Sequence, residues 1–449
     1  CGQTVALGSG ASQTGFGRTG TVDWITTPKV TGDSPVTGVT GKGYFLNTTA
    51  GVITLNLPAG AAGSIVSLAD YAATWDTYNV TVSPNGTDKI GGVNASATLS
   101  TVGQSLTFVY VDSTQGWVNT MDSTSNVRGQ SFIAATGGNS IVTCGNYKMH
   151  IFTGPGAFCV SATASSAPNN NVDYMIVAGG GGGGAQGGGA GAGGYRESPG
   201  SATCYTASPL GAAPMTAEAV TVQPYTIVVG GGGASAPGAP APGTNGSVSS
   251  VFGCSSAGGG GGGSDGPKVG GAGGSGGGGG WGQAGAAGDT PNVTPDQGFP
   301  GGTGYPNVNS HAGGGGGGAG AVGANGAASG PTAGGDGGIG SYTQILGSTP
   351  TAPSYGEPGP VTGRYFGGGG GGQANPCGGG NSAGAGGIGG GGNGGFATGT
   401  SAPTGNATAG GCNTGGGGGA AYGAYCAPPP FVNTGTGGSG IVIIRYKFQ

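Results

Sequence analysis

The residues that most often carry catalytic or metal chemistry are scarce in this chain. It has two histidines, His150 and His311, far apart in sequence, and only 15 acidic side chains among 449 residues. None of the carboxylates falls in a recognisable pair for general acid and base work on a glycosidic bond. We therefore expect no enzymatic activity, no bound metal and no cofactor.

Cysteine is the remaining reactive side chain, with eight copies. None shows C-x-x-C spacing and no histidine lies near them in a ligand pattern, which argues against zinc. Cys144 and Cys159 flank a strand that could fold back, so we predict a disulfide between them. A Cys377–Cys412 pair, which brackets glycine-rich segments, is a second candidate, and free buried thiols are the alternative. Two interpretations of Cys1 stay open. It is either a cysteine that carries a lipid or a residue of a longer protein whose chain continues upstream.

The charge content excludes further classes of function. Eleven basic residues spread over the whole chain, with a net charge of −4, cannot form the basic patch that nucleic-acid binding requires. The longest apolar stretches, 174–177 and 441–444, are far shorter than the roughly 20 residues of a membrane-spanning helix. We expect neither nucleic-acid binding nor membrane insertion.

The elements that must position any functional residue change abruptly near Ala178. Residues 1–178 contain 24 of the 120 glycines, whereas residues 179–449 contain 96. Before the border, short alternating runs such as Val52-Ile53-Thr54-Leu55-Asn56-Leu57 indicate strands. We predict an irregular connector with one or two short strands over 1–40, a small β-sandwich or barrel over 41–128, and a β-meander over 129–170. His150 is expected at a solvated or edge position of that meander.

Beyond the border, glycine occurs in uninterrupted runs, at 179–184, 258–263, 276–280, 313–318, 367–372 and 415–419. Collagen needs a strict Gly-X-Y repeat with many prolines, and a flexible linker does not need hydrophobic strand signals between its glycines. Glycine runs can instead adopt the left-handed threefold helix of polyproline II. Because buried backbone groups must be paired, such helices can pack side by side and hydrogen-bond to one another.

Four apolar segments frame these runs: 172–178, 225–229, 247–253 and 440–448. We expect them to form one small sheet in which the C-terminal strand pairs with the first. The predicted fold is thus mainly β with almost no α-helix. Its domain over 171–449 consists of packed polyglycine II helices, framed by a few strands and closed by the strand 440–448.

Particular segments resemble the tail fibres of tailed bacteriophages. Tyr44-Phe45-Leu46-Asn47-Thr48-Thr49-Ala50-Gly51-Val52-Ile53-Thr54-Leu55-Asn56-Leu57-Pro58 looks like a β module of such fibres. The run Tyr147-Lys148-Met149-His150-Ile151-Phe152 resembles the next module, and Gly440-Ile441-Val442-Ile443-Ile444-Arg445-Tyr446 is similar to the closing strand of glycine-rich fibre tips. The resemblance implies a structural and receptor-binding fibre component, located in the virion tail or outside the cell.

The resemblance also implies partners. These are a host cell-surface glycan or an outer-membrane protein, and further copies of the chain, with low charge and a fibre-like module favouring a homotrimer. The alternative is a subunit of a bacterial extracellular filament or surface adhesin, in which copies form an open helical array. A fibre-borne glycan depolymerase is disfavoured by the sparse carboxylates.

Aromatic residues in the connections between glycine runs are the candidates for receptor contact, because loops carry function and aromatics are favoured at binding surfaces. An alternative role is to cap the edges of the glycine lattice and shield it from water. The candidates are Trp281, Phe299, Tyr305, Tyr342, Tyr355, Tyr422, Tyr425 and Phe431.

Overall fold

The chain forms two compact units, Cys1–Gly129 and Gln130–Gln449. The computed structural model describes residues 22–123, 132–164, 167–199, 205–211, 214–238, 240–266, 269–307, 310–327, 332–347, 355–374, 382–395, 406–422 and 433–448. In this part of the chain the fold is mainly β, and its helices are short 3-10 turns at Thr31–Asp33, Ala167–Asn170 and Pro209–Gly211.

Short strands with buried alternate residues build the first unit. They are β1 (Asp23–Val30), β2 (Val36–Thr37), β3 (Lys42–Asn47), β4 (Ile53–Asn56), β5 (Ile65–Asp70), β6 (Val80–Ser83), β7 (Ala97–Leu99), β8 (Ser105–Tyr110) and β9 (Trp117–Ser123). A five-stranded sheet has the order β1-β3-β5-β8-β9, and a four-stranded sheet the order β2-β4-β6-β7. No closed barrel occurs in the residues described.

From β1 to β6, successive strands of this unit alternate between its two sheets, as in the coils of a solenoid. β1, β3 and β5 therefore pair in parallel, and so do β2, β4 and β6. Between the sheets lies a core of apolar side chains that includes Leu46, Leu68 and Trp75.

The described part of the segment 1–40 contains two short strands, β1 and β2. Asp23–Val30 pairs with Lys42–Asn47 and so belongs to the five-stranded sheet. The short Gly- and Pro-containing turns between β3, β4 and β5 carry the chain across to the other sheet, so that β3 and β5 are parallel neighbours.

Strands of the second unit occur both before and between the glycine-rich segments. They are β10 (Ala134–Thr136), β11 (Ser140–Cys144), β12 (Tyr147–Phe152), β13 (Gly156–Ala162), β14 (Asn171–Val177), β15 (Tyr195–Ser198), β16 (Glu218–Ala219), β17 (Pro224–Ile227), β18 (Ser249–Val251), β19 (Cys254–Ser256), β20 (Tyr305–Asn307), β21 (Ser310–Ala312), β22 (Ser341–Thr343), β23 (Glu357–Pro358), β24 (Arg364–Phe366) and β25 (Ile441–Lys447).

The central sheet of this unit has the order β11-β12-β25-β14-β15. β25 pairs antiparallel with β14, which confirms the predicted closure by the C-terminal strand. Both faces of the sheet are buried: Met149, Met175 and Ile443 pack into one apolar cluster, and Tyr174 and Val442 pack into another. This is why β25 is apolar at nearly every position instead of alternating.

The expectation of one frame sheet and a separate meander is wrong. β10 and β13 pair with β17 in a second sheet, whereas β11 and β12 belong to the central sheet. β18 and β19 form a hairpin of their own. The segment predicted as a meander is thus divided between two sheets and is part of the second unit.

The glycine run 179–184 leaves the central sheet directly after β14. Every third N–H of the run donates to the same neighbouring segment, and the three segments used in turn are 244–247, 435–438 and 188–191. The partner's residue number falls by three as the run advances by three, so these neighbours are antiparallel. None of the run's glycines has a positive φ. A three-residue period, in which the backbone groups hydrogen-bond to neighbouring segments and not within the run, identifies a polyglycine II helix.

The carbonyl groups of the same run follow the same period. They accept N–H groups from 259–262, 233–236 and 418–421, and here the numbers rise together, so these neighbours are parallel. The run is consequently surrounded by six segments and every N–H and C=O of its glycines is paired. The run 313–318 is surrounded in the same way, by 370–373, 276–279, 321–324, 335–338, 189–192 and 299–302.

At many interior positions of this lattice only glycine fits. A Cβ on Gly182 would lie within 3.0 Å of the carbonyl oxygen of Ala234, and one on Gly316 equally close to the carbonyl of Ala190. At the margin the restriction ends, since a Cβ on Gly231 would meet nothing within 4 Å. The close approach of backbones, and not flexibility, explains why the runs are uninterrupted.

Candidate functional site

The glycine helices have two distinguishable ends. One end, where 179 follows β14, meets the central sheet, and we call it the sheet end. Gly184 lies at the opposite, distal end, and its hydrogen bonds place Gly188 and Ala421 at the same level. Continuing this register from helix to helix assigns each connection to one end or the other.

The distal end is lined with alanines where the glycine runs stop. Ala185 bridges Ala421, and Ala312 bridges Ala374, and these four residues are buried. Side chains therefore begin one residue beyond the lattice, and the connections emerge from this alanine layer.

The structure divides the predicted receptor-contact aromatics between the two ends. Trp281 follows the run 276–280 at the distal end, Tyr305 follows Gly304 there, and Tyr422 follows Ala421. Tyr422 is only 4% exposed. Tyr425 and Phe431 lie outside the described residues.

The other candidates lie at the sheet end. Phe299 begins a helix segment there, with its carbonyl accepting the N–H of Gly276. Tyr342 on β22 packs against Tyr365, with ring centroids 5.8 Å apart. The carbonyl of Tyr355 accepts a 2.7 Å hydrogen bond from Nε of Arg364. The described candidates thus do not form one surface, because successive connections lie at opposite ends of the helices.

A small aromatic cluster at the distal end is the best candidate for a binding surface. The indole of Trp281 stacks on the imidazole of His311, with centroids 4.6 Å apart and planes inclined by 18°. His311 lies opposite Pro306 in the β20–β21 hairpin, so their side chains share a face. Trp281 and His311 are half-buried and Pro306 is exposed. We call Trp281, Pro306 and His311 the distal cluster.

Tyr305 is separated from this cluster by the alternation of the strand. It lies opposite Ala312, one position along from the Pro306–His311 pair, and so on the other face of the hairpin. His311 was not among the predicted receptor-contact residues. Its position was the available signal: it lies two residues before the run 313–318, and Trp281 lies directly after the run 276–280. Because these two runs are antiparallel neighbours, both residues lie at the same end.

The described residues of the connections at the distal end are almost free of charge. They are 185–187, 237–238, 240–242, 264–266, 269–270, 281–283, 305–307, 310–312, 326–327, 332–333, 373–374, 382–383, 395, 406–407, 421–422 and 433–434. Among them, Asp265 and His311 are the only acidic or basic residues. Serine, threonine, asparagine, proline and alanine make up most of the rest. By contrast, the sheets hold Arg445, Glu197 and Asp173 in buried positions.

Glu197 on β15 is fully buried and joins three segments at the sheet end. It accepts hydrogen bonds from the Tyr195 hydroxyl and the Ser208 N–H, both at 2.8 Å, and from the Thr343 hydroxyl. Burial raises the pKa of this carboxyl above its ordinary value, and these hydrogen bonds oppose the rise. The carboxyl fastens the segment 205–211 and β22 to the central sheet.

His150 on β12 is also buried, not solvated or at an edge as predicted, because β25 pairs along β12 and covers it. Its Nδ1 lies 2.7 Å from the carbonyl oxygen of Gly137, so Nδ1–H donates there, and Nε2 accepts from the Tyr446 hydroxyl at 3.0 Å. Burial lowers the pKa of this imidazole. The ring serves packing and hydrogen bonding within the sheet.

The predicted Cys144–Cys159 disulfide is not formed. Both are free thiols, Cys144 on β11 of the central sheet and Cys159 on β13 of the other sheet. The expected fold-back fails because the two flanking strands join different sheets. Cys412 is a free, exposed thiol, and Cys377 lies outside the described residues.

The described residues contain no group of three or more His, Cys, Asp or Glu side chains arranged to hold a metal ion. They also contain no helix whose length and hydropathy would let it cross a membrane.

Strand sheets that frame a hydrogen-bonded polyglycine II lattice define a glycine-rich β protein. The chain belongs to the glycine-rich domain family, whose model matches residues 152–447. The match begins at the end of β12 and reaches the last residue of β25, so it includes the whole lattice and its closing strand. A search of curated proteins finds no match to the chain.

Proposed function

We propose that the chain is a structural and receptor-binding component of a bacteriophage tail fibre, which attaches the virion to the host cell surface. The observation that carries the proposal is the arrangement of the distal end. A lattice of paired glycine helices supports many connections on one side, and these connections hold the distal cluster. The resemblance of 44–58 and 440–446 to fibre modules supports the phage assignment.

The lattice suits this role for a physical reason. Binding residues work best when held by a scaffold that does not rearrange, because ordering them on binding costs free energy. Glycine helices that are hydrogen-bonded to neighbours on all sides form such a scaffold. They hold each connection at the points where it begins and ends. The protein acts by binding, as a homotrimer in the virion tail outside the cell, without enzymatic activity, nucleic acid or membrane insertion.

A direct test uses the purified, fluorescently labelled chain on a panel of bacterial isolates, read by flow cytometry. We expect saturable binding to a subset of isolates, and competition by the unlabelled chain. Labelled chain that binds none of the isolates, or all of them without saturation, would contradict a receptor-binding role.

The assembly state tests the fibre against the bacterial filament. Negative-stain electron microscopy and light scattering of the purified chain should show a closed trimer. An open helical array of subunits would favour the extracellular filament instead.

A further inference from the structure

We infer that the distal end recognises a neutral saccharide, with the distal cluster as its stacking platform. This inference rests on the proposed function and names the chemistry of the ligand. It starts from the near absence of charge in the described residues of the distal connections, where Asp265 and His311 are the only acidic and basic residues.

Charge decides between a protein partner and a sugar partner. About a quarter of the residues in an average protein are charged, so a protein surface of ordinary size brings several charges into an interface. Burying those charges against a surface that offers no countercharge is costly. Protein interfaces are also enriched in arginine, and the described residues of the distal connections include none. A neutral saccharide brings no charge to desolvate.

The groups that the distal connections do offer match a saccharide. Hydroxyl and amide side chains can exchange hydrogen bonds with sugar hydroxyl groups in both directions. The face of a sugar ring carries C–H groups, and an aromatic ring is a large, rigid apolar surface on which such a face can lie. Trp281 and His311 together supply that ring.

The stack of Trp281 on His311 prepares the indole for binding. With its centroid 4.6 Å from that of the imidazole and the planes nearly parallel, the indole is fixed in orientation before a ligand arrives. Residual exposure of Trp281 leaves part of the ring accessible. Fixing a side chain in advance removes an entropic cost of binding. Neither ring needs to rearrange.

The experiment uses an isolate that binds the labelled chain in the flow-cytometry test above. Cells are treated with periodate, which cleaves the vicinal diols of sugars, or with protease, and binding is measured at 50 and 500 mM NaCl. We expect periodate to abolish binding, protease to leave it intact, and the salt change to alter the affinity by less than about twofold, since no ion pairs form.

Two variants locate the platform. Trp281→Ala should weaken binding by at least about tenfold, as for a central aromatic contact. Tyr342→Ala is the matched control, because Tyr342 is likewise half-buried and packed on another aromatic ring, but at the sheet end. It should leave binding unchanged. Thermal unfolding of both variants checks that the fold is kept.

Each other outcome overturns the inference. Loss of binding after protease alone would identify a protein receptor and leave the proposed attachment function standing. A steep fall of affinity with salt would identify a charged ligand. Equal losses in Trp281→Ala and Tyr342→Ala would remove the distal cluster as the platform. If no isolate binds the wild-type chain, the proposed function fails as well.

Discussion

The first unit and the glycine lattice satisfy the same physical requirement in opposite ways. In the first unit, alternate side chains of facing sheets, among them Leu68 and Trp75, fill the interior. In the lattice around 179–184, the interior is almost entirely glycine, with small side chains such as that of Ala190, and backbone hydrogen bonds take the place of a side-chain core. The comparison teaches that removing atoms should damage the first unit, whereas adding atoms should damage the lattice. The following substitutions test that reversal.

The largest effect is expected from one methyl group in the lattice interior. Gly182→Ala places a Cβ within 3.0 Å of a backbone carbonyl that cannot move without breaking its own helix. We expect a loss of more than about 4 kcal/mol in unfolding free energy, or failure to fold. Gly231→Ala, with nothing within 4 Å of its Cβ, is the control and should change stability by less than about 1 kcal/mol. Urea unfolding measures both, and equal losses would refute the close-packed lattice.

In the first unit the damaging change is a deletion. Trp75 is fully buried, and Trp75→Ala should cost about 3 to 5 kcal/mol by leaving a cavity. Tyr71→Ala, at a side chain that is 52% exposed, should cost less than about 1 kcal/mol. Hydrogen exchange of the β3 and β5 amides reports the loss within this unit. Similar protection in the two variants would show that the side-chain core does not control its stability.

A smaller effect is expected from Glu197→Gln at the sheet end. The amide NH₂ of glutamine must replace one carboxylate oxygen that accepts hydrogen bonds, so we expect a loss of about 1 to 3 kcal/mol. The wild-type carboxyl has a pKa raised above the ordinary 4.5, so its protonated form is favoured in the folded state. Its contribution is full below pH 4.5 and falls as the pH rises through the folded pKa.

The pH dependence provides the readout for Glu197. Unfolding free energies measured between pH 4 and pH 8 should fall with rising pH more steeply in the wild type than in Glu197→Gln. Thr343→Val is the control, because it keeps the carboxyl and removes a hydrogen bond that opposes the rise in its pKa. Its unfolding free energy should fall with rising pH at least as steeply as that of the wild type. Parallel curves for wild type and Glu197→Gln would show that the carboxyl does not titrate in this way.

The smallest effect is expected at His150, whose titration has the opposite sign. Its pKa is lowered from 6.5 by burial, so its contribution is present above pH 6.5 and is lost as the pH falls through the folded pKa. His150→Gln should cost about 1 kcal/mol at pH 8, by weakening the bonds to Gly137 and Tyr446. It should also reduce the loss of stability on acidification. An unchanged acid unfolding midpoint would contradict this account.

Local structure was predictable where side chains specify it. The alternation in 147–152 and the apolar run 441–444 predicted β12 and β25, and their periods depend only on neighbouring residues. Uninterrupted glycine predicted the polyglycine II helix, because few other ordered states suit consecutive residues without a Cβ. These predictions agree with the structure.

The spatial arrangement of the glycine helices and strands was less predictable from the sequence. One glycine run is chemically identical to another, so nothing in 179–184 specifies which six segments surround it. The end at which Trp281 or Tyr342 lies depends on the direction of every intervening helix, including short segments without a long run. His150 was misplaced because its covering strand, β25, follows it by almost 300 residues. Long-range pairing of this kind leaves no local pattern in the sequence.

The threefold period of the glycine helices restricts where the sequence can gain or lose residues during evolution. Inserting one residue into 179–184 would turn every later residue by about 120°, because each turn contains three residues. Each N–H would then face a different neighbour, and its former partner would be left without a donor. The connections at the two ends can change length without this displacement. Insertions and deletions accepted during evolution should therefore collect in the connections, so that the connections diversify while the lattice is preserved.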